Sequence, residues 1–196
     1  NWIGLSEEML SVCPVFRKEF KIRGKVASAR IYASSYGLYE IFLNGLRVGD
    51  RYLTPGFTQY EKRVQYQTYD VTWLLKDGKN AVGVPVGKGW CRGRYPSDGN
   101  NIYKRKASLL FQMRVVYEDG TQDIIISDES WKCGESAVLS SEIYDGEIYD
   151  ARKEQPFSVA GFDDSGWKNA CLLKEYDVRE VVAQESEPVR IVDTIA

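Results

Sequence analysis

Between Gly87 and Asn101 the chain gathers Trp90, Arg92, Arg94, Tyr95, Asp98, Asn100 and Asn101 among four glycines and Pro96. An indole ring can stack on the C–H face of a sugar, and guanidinium, carboxylate and amide groups can hydrogen-bond its diols. Asp98, Asn100 and Asn101, with main-chain oxygens, are also the hard ligands that calcium takes, so calcium is the one cofactor left open. A solvated glycine-rich loop is the plainer reading of the same residues. A second cluster, Glu147, Asp150 and Arg152, lies in the segment GEIYDAR. Strand alternation puts Glu147 and Tyr149 on one face and Ile148 and Asp150 on the other, which pairs no carboxylates. An Asp150–Arg152 ion pair that fixes a loop is expected there, and contact with the rim of a neighbouring catalytic pocket is the alternative.

Other chemistry is removed by composition. The 196 residues contain no histidine, so Ser-His-Asp and Cys-His nucleophilic arrangements and the usual near-neutral base are absent. Cys13, Cys91, Cys133 and Cys171 are far apart, without a Cys-x-x-Cys pair, which excludes a zinc site and suggests buried thiols or at most two long-range disulfides. Twenty-six Lys and Arg against 28 Asp and Glu, scattered along the chain, argue against a nucleic-acid partner. No stretch approaches the roughly 20 apolar residues of a membrane helix, and no signal-peptide order opens the chain, so no membrane partner is expected. Because the chain starts at Asn1, a removed leader or preceding domain is expected. The compartment, periplasmic or extracellular against cytoplasmic, stays open.

The elements that must position these residues read as strands. Residues 16–22 alternate, with Phe16, Lys18, Phe20 and Ile22 on a face to be buried and Arg17, Glu19 and Lys21 on the other. Residues 26–34 and 37–43 follow, and Asn44-Gly45 marks a type I′ hairpin turn because both positions tolerate positive φ. Residues 63–69 alternate into a strand, and Asp70 is placed to cap a single helical turn. Residues 80–86 read as a doubly covered strand that Pro85 weakens as a central one. Residues 87–101 read as a long loop. Residues 107–117 and 121–127 flank the turn Glu118-Asp119-Gly120, residues 138–143 and 181–192 carry further strands, and Asp163-Asp164 reads as a polar turn into a buried Trp167. Tyr32, Tyr36, Tyr39, Tyr60, Tyr66 and Tyr69 read as core and cross-strand pairs. About ten short strands without a long amphipathic helix predict an all-β chain, a jelly-roll-like β-sandwich. One sandwich domain over 1–196 is expected, with 1–12 and 186–196 as connecting segments.

Several of these segments, in order, resemble the N-terminal domain of bacterial α-L-rhamnosidases. The likeness runs through residues 16–20, Ala29-Arg30-Ile31-Tyr32, Leu43-Asn44-Gly45, Leu53-Thr54-Pro55-Gly56-Phe57-Thr58, residues 63–72 and Gly89-Trp90-Cys91-Arg92-Gly93. It continues through Asp128 with Trp131, residues 146–152, and Gly161-Phe162-Asp163-Asp164 with Trp167, covering roughly residues 10 to 195. The resemblance implies an accessory, non-catalytic part of a multidomain glycoside hydrolase that releases terminal L-rhamnose, upstream of a helical catalytic barrel. It implies as partners the remaining domains of the parent enzyme and a rhamnose-containing carbohydrate. In such a family the general acid and the water-activating carboxylate of the inverting hydrolysis sit on the barrel, so no catalytic residue carries over. The substrate-binding candidates are Trp90, Arg92, Asp98, Asn100, Asn101, Glu147, Asp150 and Arg152. An autonomous binding module for L-rhamnose-containing glycans is the alternative.

Overall fold

A computed structural model describes residues 1–6, 13–95, 98–174 and 180–195, so Pro96 and residues 7–12 of the expected connecting segment fall outside the described residues. The chain opens with β1 (Trp2–Gly4), β2 (Pro14–Ile22) and β3 (Val26–Tyr36). Three very short strands follow, β4 (Leu38–Tyr39), β5 (Phe42–Leu43) and β6 (Leu46–Arg47). Asn44 and Gly45 turn β5 into β6 with φ of 52° and 87°, as the hairpin signal requires. β7 (Arg63–Asp70) runs into a 3₁₀ turn over Thr72–Leu74, where the Asp70 carboxylate accepts from the Thr72 amide at 3.0 Å. Next come β8 (Gly78–Gly87), the one-turn helix α1 (Gly89–Arg92), and the small hairpin β9 (Arg94–Tyr95) and β10 (Gly99–Asn100). β11 (Ser108–Tyr117) and β12 (Gln122–Ile126) form the hairpin expected around Glu118-Asp119-Gly120. β13 (Lys132–Glu135), β14 (Val138–Glu142) and β15 (Gly146–Tyr149) precede a 3₁₀ turn over Ala151–Lys153. The last strands are β16 (Lys168–Asn169), β17 (Cys171–Leu172) and β18 (Glu180–Ala183).

These strands form two main sheets. The first has the order β17-β1-β11-β3-β7-β18, with β12 on the far half of β11; the second has the order β16-β13-β2-β8-β5-β6, with β4 on β8. Of the long strands, β2 and β8 lie in the second sheet and β3, β7 and β11 in the first, so the chain crosses repeatedly between the layers and wraps as a jelly-roll-like all-β sandwich. Among the described residues, pairing is antiparallel except between β18 and β7, which run parallel. Between the sheets, Ile31 and Ala33 of β3 and Leu109, Phe111, Met113 and Val115 of β11 meet Phe16 of β2 and Val82, Val84 and Val86 of β8. Trp131 closes this core, its ring 5.0 Å from Phe111 and its indole N–H donating to the Ile126 carbonyl at 2.9 Å.

Four local expectations are corrected. Arg17, assigned to the exposed face of β2, has only 2% of its side chain exposed. It lies under the segment that follows β15, where its guanidinium pairs with Asp164 and Glu19, donates to the Val159 carbonyl at 3.1 Å and stands 5.5 Å from the Phe162 ring centroid. β8 is central despite Pro85, because that residue faces the break between β4 and β5, where only its carbonyl is used, by the Glu40 amide at 3.3 Å. The described residues of 87–101 are not an open loop but α1 and the paired strands β9 and β10. Trp167 is half-buried rather than buried, lying flat on Gly134, where a Cβ would meet the indole at 2.2 Å. The tyrosines divide as well: Tyr36, Tyr39, Tyr60 and Tyr69 are buried, whereas Tyr32 and Tyr66 pair edge-on at 6.2 Å on the outward side of the first sheet. All four cysteines are free thiols.

Removing the buried guanidinium would take from Asp164 its Arg17 partner and leave Glu19 with the more exposed Lys79 at 3.4 Å. Arg17→Ala is therefore expected to cost about 3 kcal/mol in urea unfolding, and an unchanged midpoint would show that the pairing carries no weight. Glu19 is held below its ordinary pKa, chiefly by the Gly161 amide and then by Arg17 and Lys79. A folded pKa below the unfolded one means its contribution is present above the unfolded value and disappears as pH falls through the folded one. Glu19→Gln is expected to flatten that acid limb of the stability curve.

Candidate functional site

The end of β8 must turn sharply to bring α1 over the first sheet, and two glycines permit it. Gly89 has φ of 54°, and a Cβ there would meet Leu38 at 2.4 Å. A Cβ at Gly93 would meet the Gly89 carbonyl at 2.4 Å and the Glu142 carboxylate at 2.7 Å. So placed, α1 covers the upper outer face of the first sheet. Cys91 is fully buried there with Trp2, Tyr36, Tyr60, Val64 and Leu173, and Trp90 packs half-buried against the same cluster. Burial pushes the Cys91 thiol up to about 12, which keeps it protonated and inert near neutral pH. The Trp90 ring stands edge-on to the exposed Phe57 at 6.3 Å, and Phe57 stands 5.9 Å from Tyr60.

The β14–β15 hairpin is clamped onto this turn by one carboxylate that sequence reasoning missed. Glu142, with 4% of its side chain exposed, accepts from Lys88 Nζ at 2.9 Å and from the Arg94 amide at 3.1 Å. Arg94 also grips Asp145 at the hairpin tip through Nε at 3.1 Å and Nη2 at 2.6 Å, and this holds Asp145 below the ordinary carboxylate range. Glu142 lies 54 and 48 positions from its two partners, so no local spacing could have pointed to it.

The eight residues singled out from the sequence fall into five situations. Trp90 and Arg92 lie on α1, with the Arg92 guanidinium 3.4 Å from the Gly87 carbonyl. Asp98 and Asn100 are exposed on the β9–β10 hairpin, and Asn100 pairs in register with Arg94. Asn101, at φ of 50°, turns its amide inward, donating to the Arg105 carbonyl and accepting from the Arg105 amide, each at 3.1 Å. Asp150 and Arg152 form the expected ion pair, a two-pronged one at 2.8 and 2.9 Å that lowers the Asp150 pKa, while Asp150 also accepts from the Arg152 amide. Glu147 lies elsewhere, over the second sheet, in a cleft of about 270 Å³ with Cys13, Tyr39, Glu40, Tyr52 and Gly87. The structure thus brings the 87–101 and 138–149 segments together at one end but sets Trp90 and Glu147 over different sheets.

Beside that cleft, and sharing Glu40, Pro85 and Val138 with it, runs a groove of about 630 Å³ under the segment 149–159. Phe157 forms part of its lining and packs so closely on β8 that a Cβ at Gly83 would meet its ring at 2.3 Å. The polar groups of the groove answer one another: Lys153 pairs with Glu135 at 3.0 Å, Arg47 with Glu40 at 2.9 Å, and the Tyr149 hydroxyl with Glu154. Among the described residues, no three His, Cys, Asp or Glu side chains are grouped to hold a metal ion.

This geometry has counterparts in known proteins. Residues 24–193 match the family described as the α-L-rhamnosidase N-terminal domain, and the chain belongs to that family. An α-L-rhamnosidase of Streptomyces avermitilis is 45% identical over 178 residues, which are 89% of this chain and 17% of that protein. The structure of a Streptomyces avermitilis α-L-rhamnosidase complexed with L-rhamnose superposes with a TM-score of 0.90 at 42% identity, covering 93% of this chain and 18% of that one. The native enzyme from Aspergillus terreus gives 0.88 at 42% identity, covering 98% and 23%. The chain therefore spans about a fifth of the length of the relatives it matches.

Losing a nearly buried carboxylate with two donors should undock the hairpin. Glu142→Ala is expected to lower stability by about 2–3 kcal/mol, whereas Asp150→Asn at the exposed pair should cost under about 1 kcal/mol. Denaturant midpoints of the two variants check the order, and equal losses would show that Glu142 is no clamp.

Proposed function

We propose that this chain is an accessory, non-catalytic domain of an α-L-rhamnosidase that braces the catalytic part of the enzyme and sets loops at the edge of its substrate site. The observation that carries this reading is the mutual occupation of the polar side chains at the candidate end. Glu142 takes Lys88 and the Arg94 amide, Asp145 takes Arg94, Asn101 closes its own loop, and Asp150 holds Arg152. Side chains so engaged fix loop geometry, and they offer little free hydrogen-bonding capacity to a sugar. The general acid and the base of the hydrolysis then belong to the remainder of the polypeptide, of which this chain matches about a fifth in its relatives.

An autonomous rhamnoside-binding module is the second reading. It is favoured by the exposed Phe57 beside the half-exposed Trp90, an aromatic corner on which a sugar ring could rest, and by exposed Asp98 and Asn100 on the neighbouring hairpin. Calorimetric titration of the chain with L-rhamnose, with and without calcium, separates the two. Braced loops predict no saturable heat up to about 10 mM sugar and no turnover of an aryl α-L-rhamnoside. Saturable millimolar binding that Trp90→Ala abolishes would replace the first reading by the second, and turnover by the chain alone would overturn both.

A further inference from the structure

Parts of the outer faces of both sheets are covered by the chain itself, but among the described residues nothing covers the lower outer face of the first sheet. The segment 153–167 lies over the outer face of the second sheet, pinned at Arg17 and Gly83. The cluster under α1 covers the upper outer face of the first sheet. Below it, Tyr32 of β3, Tyr66 of β7, Leu110 of β11, Ile126 of β12 and Val181 of β18 line a shallow concavity of about 250 Å³, which Asn1 also borders. β12 is the clearest sign: Ile125 packs on the core between the sheets, while Ile124 and Ile126 point the other way and are 55% and 38% exposed. A half-solvated antiparallel strand alternates apolar and polar residues, and three consecutive isoleucines are the pattern of one covered on both faces. The surroundings are polar, with Gln112 in the lining and Arg114 donating to Gln122 at 3.0 Å. An apolar centre with a polar rim is the composition of a docking surface.

We infer that this lower outer face of the first sheet docks an apolar surface of another domain of the same polypeptide. This rests on the accessory-domain reading and names the face that does the bracing. Two observations select that occupant over a second copy of the chain. First, the relatives are several times longer than the matched region, which is 17% of the Streptomyces avermitilis protein, so a tethered neighbour is available. Second, the apolar patch is small. A free dimer needs roughly 20–30 residues a side, polar rim included, and the nine residues that line the concavity fall well short of that. A tethered domain needs far less, because its linker already supplies an effective concentration in the millimolar range.

Single cysteines placed at the patch test this in a chain carrying Cys171→Ser, so that the remaining native thiols are buried. Ile124→Cys and Ile126→Cys report on the patch, and Leu139→Cys and Trp73→Cys, at exposed sites elsewhere, report on other faces. Maleimide labelling rates are compared between this chain and the full-length enzyme, with thermal melts confirming that each variant folds. Labelling at 124 and 126 is expected to slow at least tenfold in the full-length enzyme. Slowing only at 139 or 73 would overturn the assigned face and leave the accessory reading intact. Equal rates at all four sites would count against both. Slowing at 124 and 126 in the isolated chain that grows with its concentration would overturn the inference in favour of self-association.

Discussion

Both sheets of this sandwich carry apolar residues on their two faces, and water must therefore be excluded from outside the layers as well as from between them. The core between the sheets accounts for one face of each. The outer face of the second sheet and the upper outer face of the first are closed by segments that look like loops in the sequence. α1 and its neighbours cover Trp2, Tyr36, Tyr60 and Val64 on the first sheet, and Phe157 with Phe162 covers Gly83 and Arg17 on the second. Short irregular segments bury little area by themselves. They need fasteners, and the fasteners are charged.

That requirement explains the character of the candidate site. Arg17 and Glu142 are nearly buried and each holds two or more chain segments, with partners far away in sequence. Arg17 meets Asp164 across 147 positions. A buried charge of this kind adds modestly to net stability but strongly fixes geometry, because any displaced arrangement leaves it unpaired. The same logic makes Gly89 and Gly93 spacers for close approach, where nearby atoms within about 2.7 Å of a would-be Cβ leave no room for a side chain. Loops held this rigidly can present a fixed edge to a neighbouring domain.

What was legible in the sequence was what is local. The Asn44-Gly45 turn, the Glu118-Asp119-Gly120 hairpin and the Asp150–Arg152 pair each depend on residues a few positions apart, and each stands where expected, while the helical turn after β7 has Val71 rather than Asp70 at its cap position. Family membership was legible too, from the ordered set of segments around Leu43-Asn44-Gly45, Gly89-Trp90-Cys91-Arg92-Gly93 and residues 146–152, and residues 24–193 match that family. Burial of the outward faces was not legible. Alternation assigned Arg17 to solvent because a period of two distinguishes faces without saying which are covered. Glycines at 87, 89 and 93 suggested freedom where they serve contact. Glu142 carried no signal, since its role exists only once β14 lies against the turn after β8.

The central claim is that charged side chains lock the covering segments onto the sheets, and two amides report on it directly. The Arg94 amide donates to Glu142 and the Gly161 amide to Glu19, so each sits at a fastener rather than in a strand ladder. Native-state hydrogen exchange of the 196-residue chain is expected to show both protected by roughly a thousandfold or more over an unfolded chain, with protection at Arg94 collapsing in Glu142→Ala. Exchange of both at nearly unfolded rates in the unaltered chain, beside fully protected β3 and β11 amides, would contradict it.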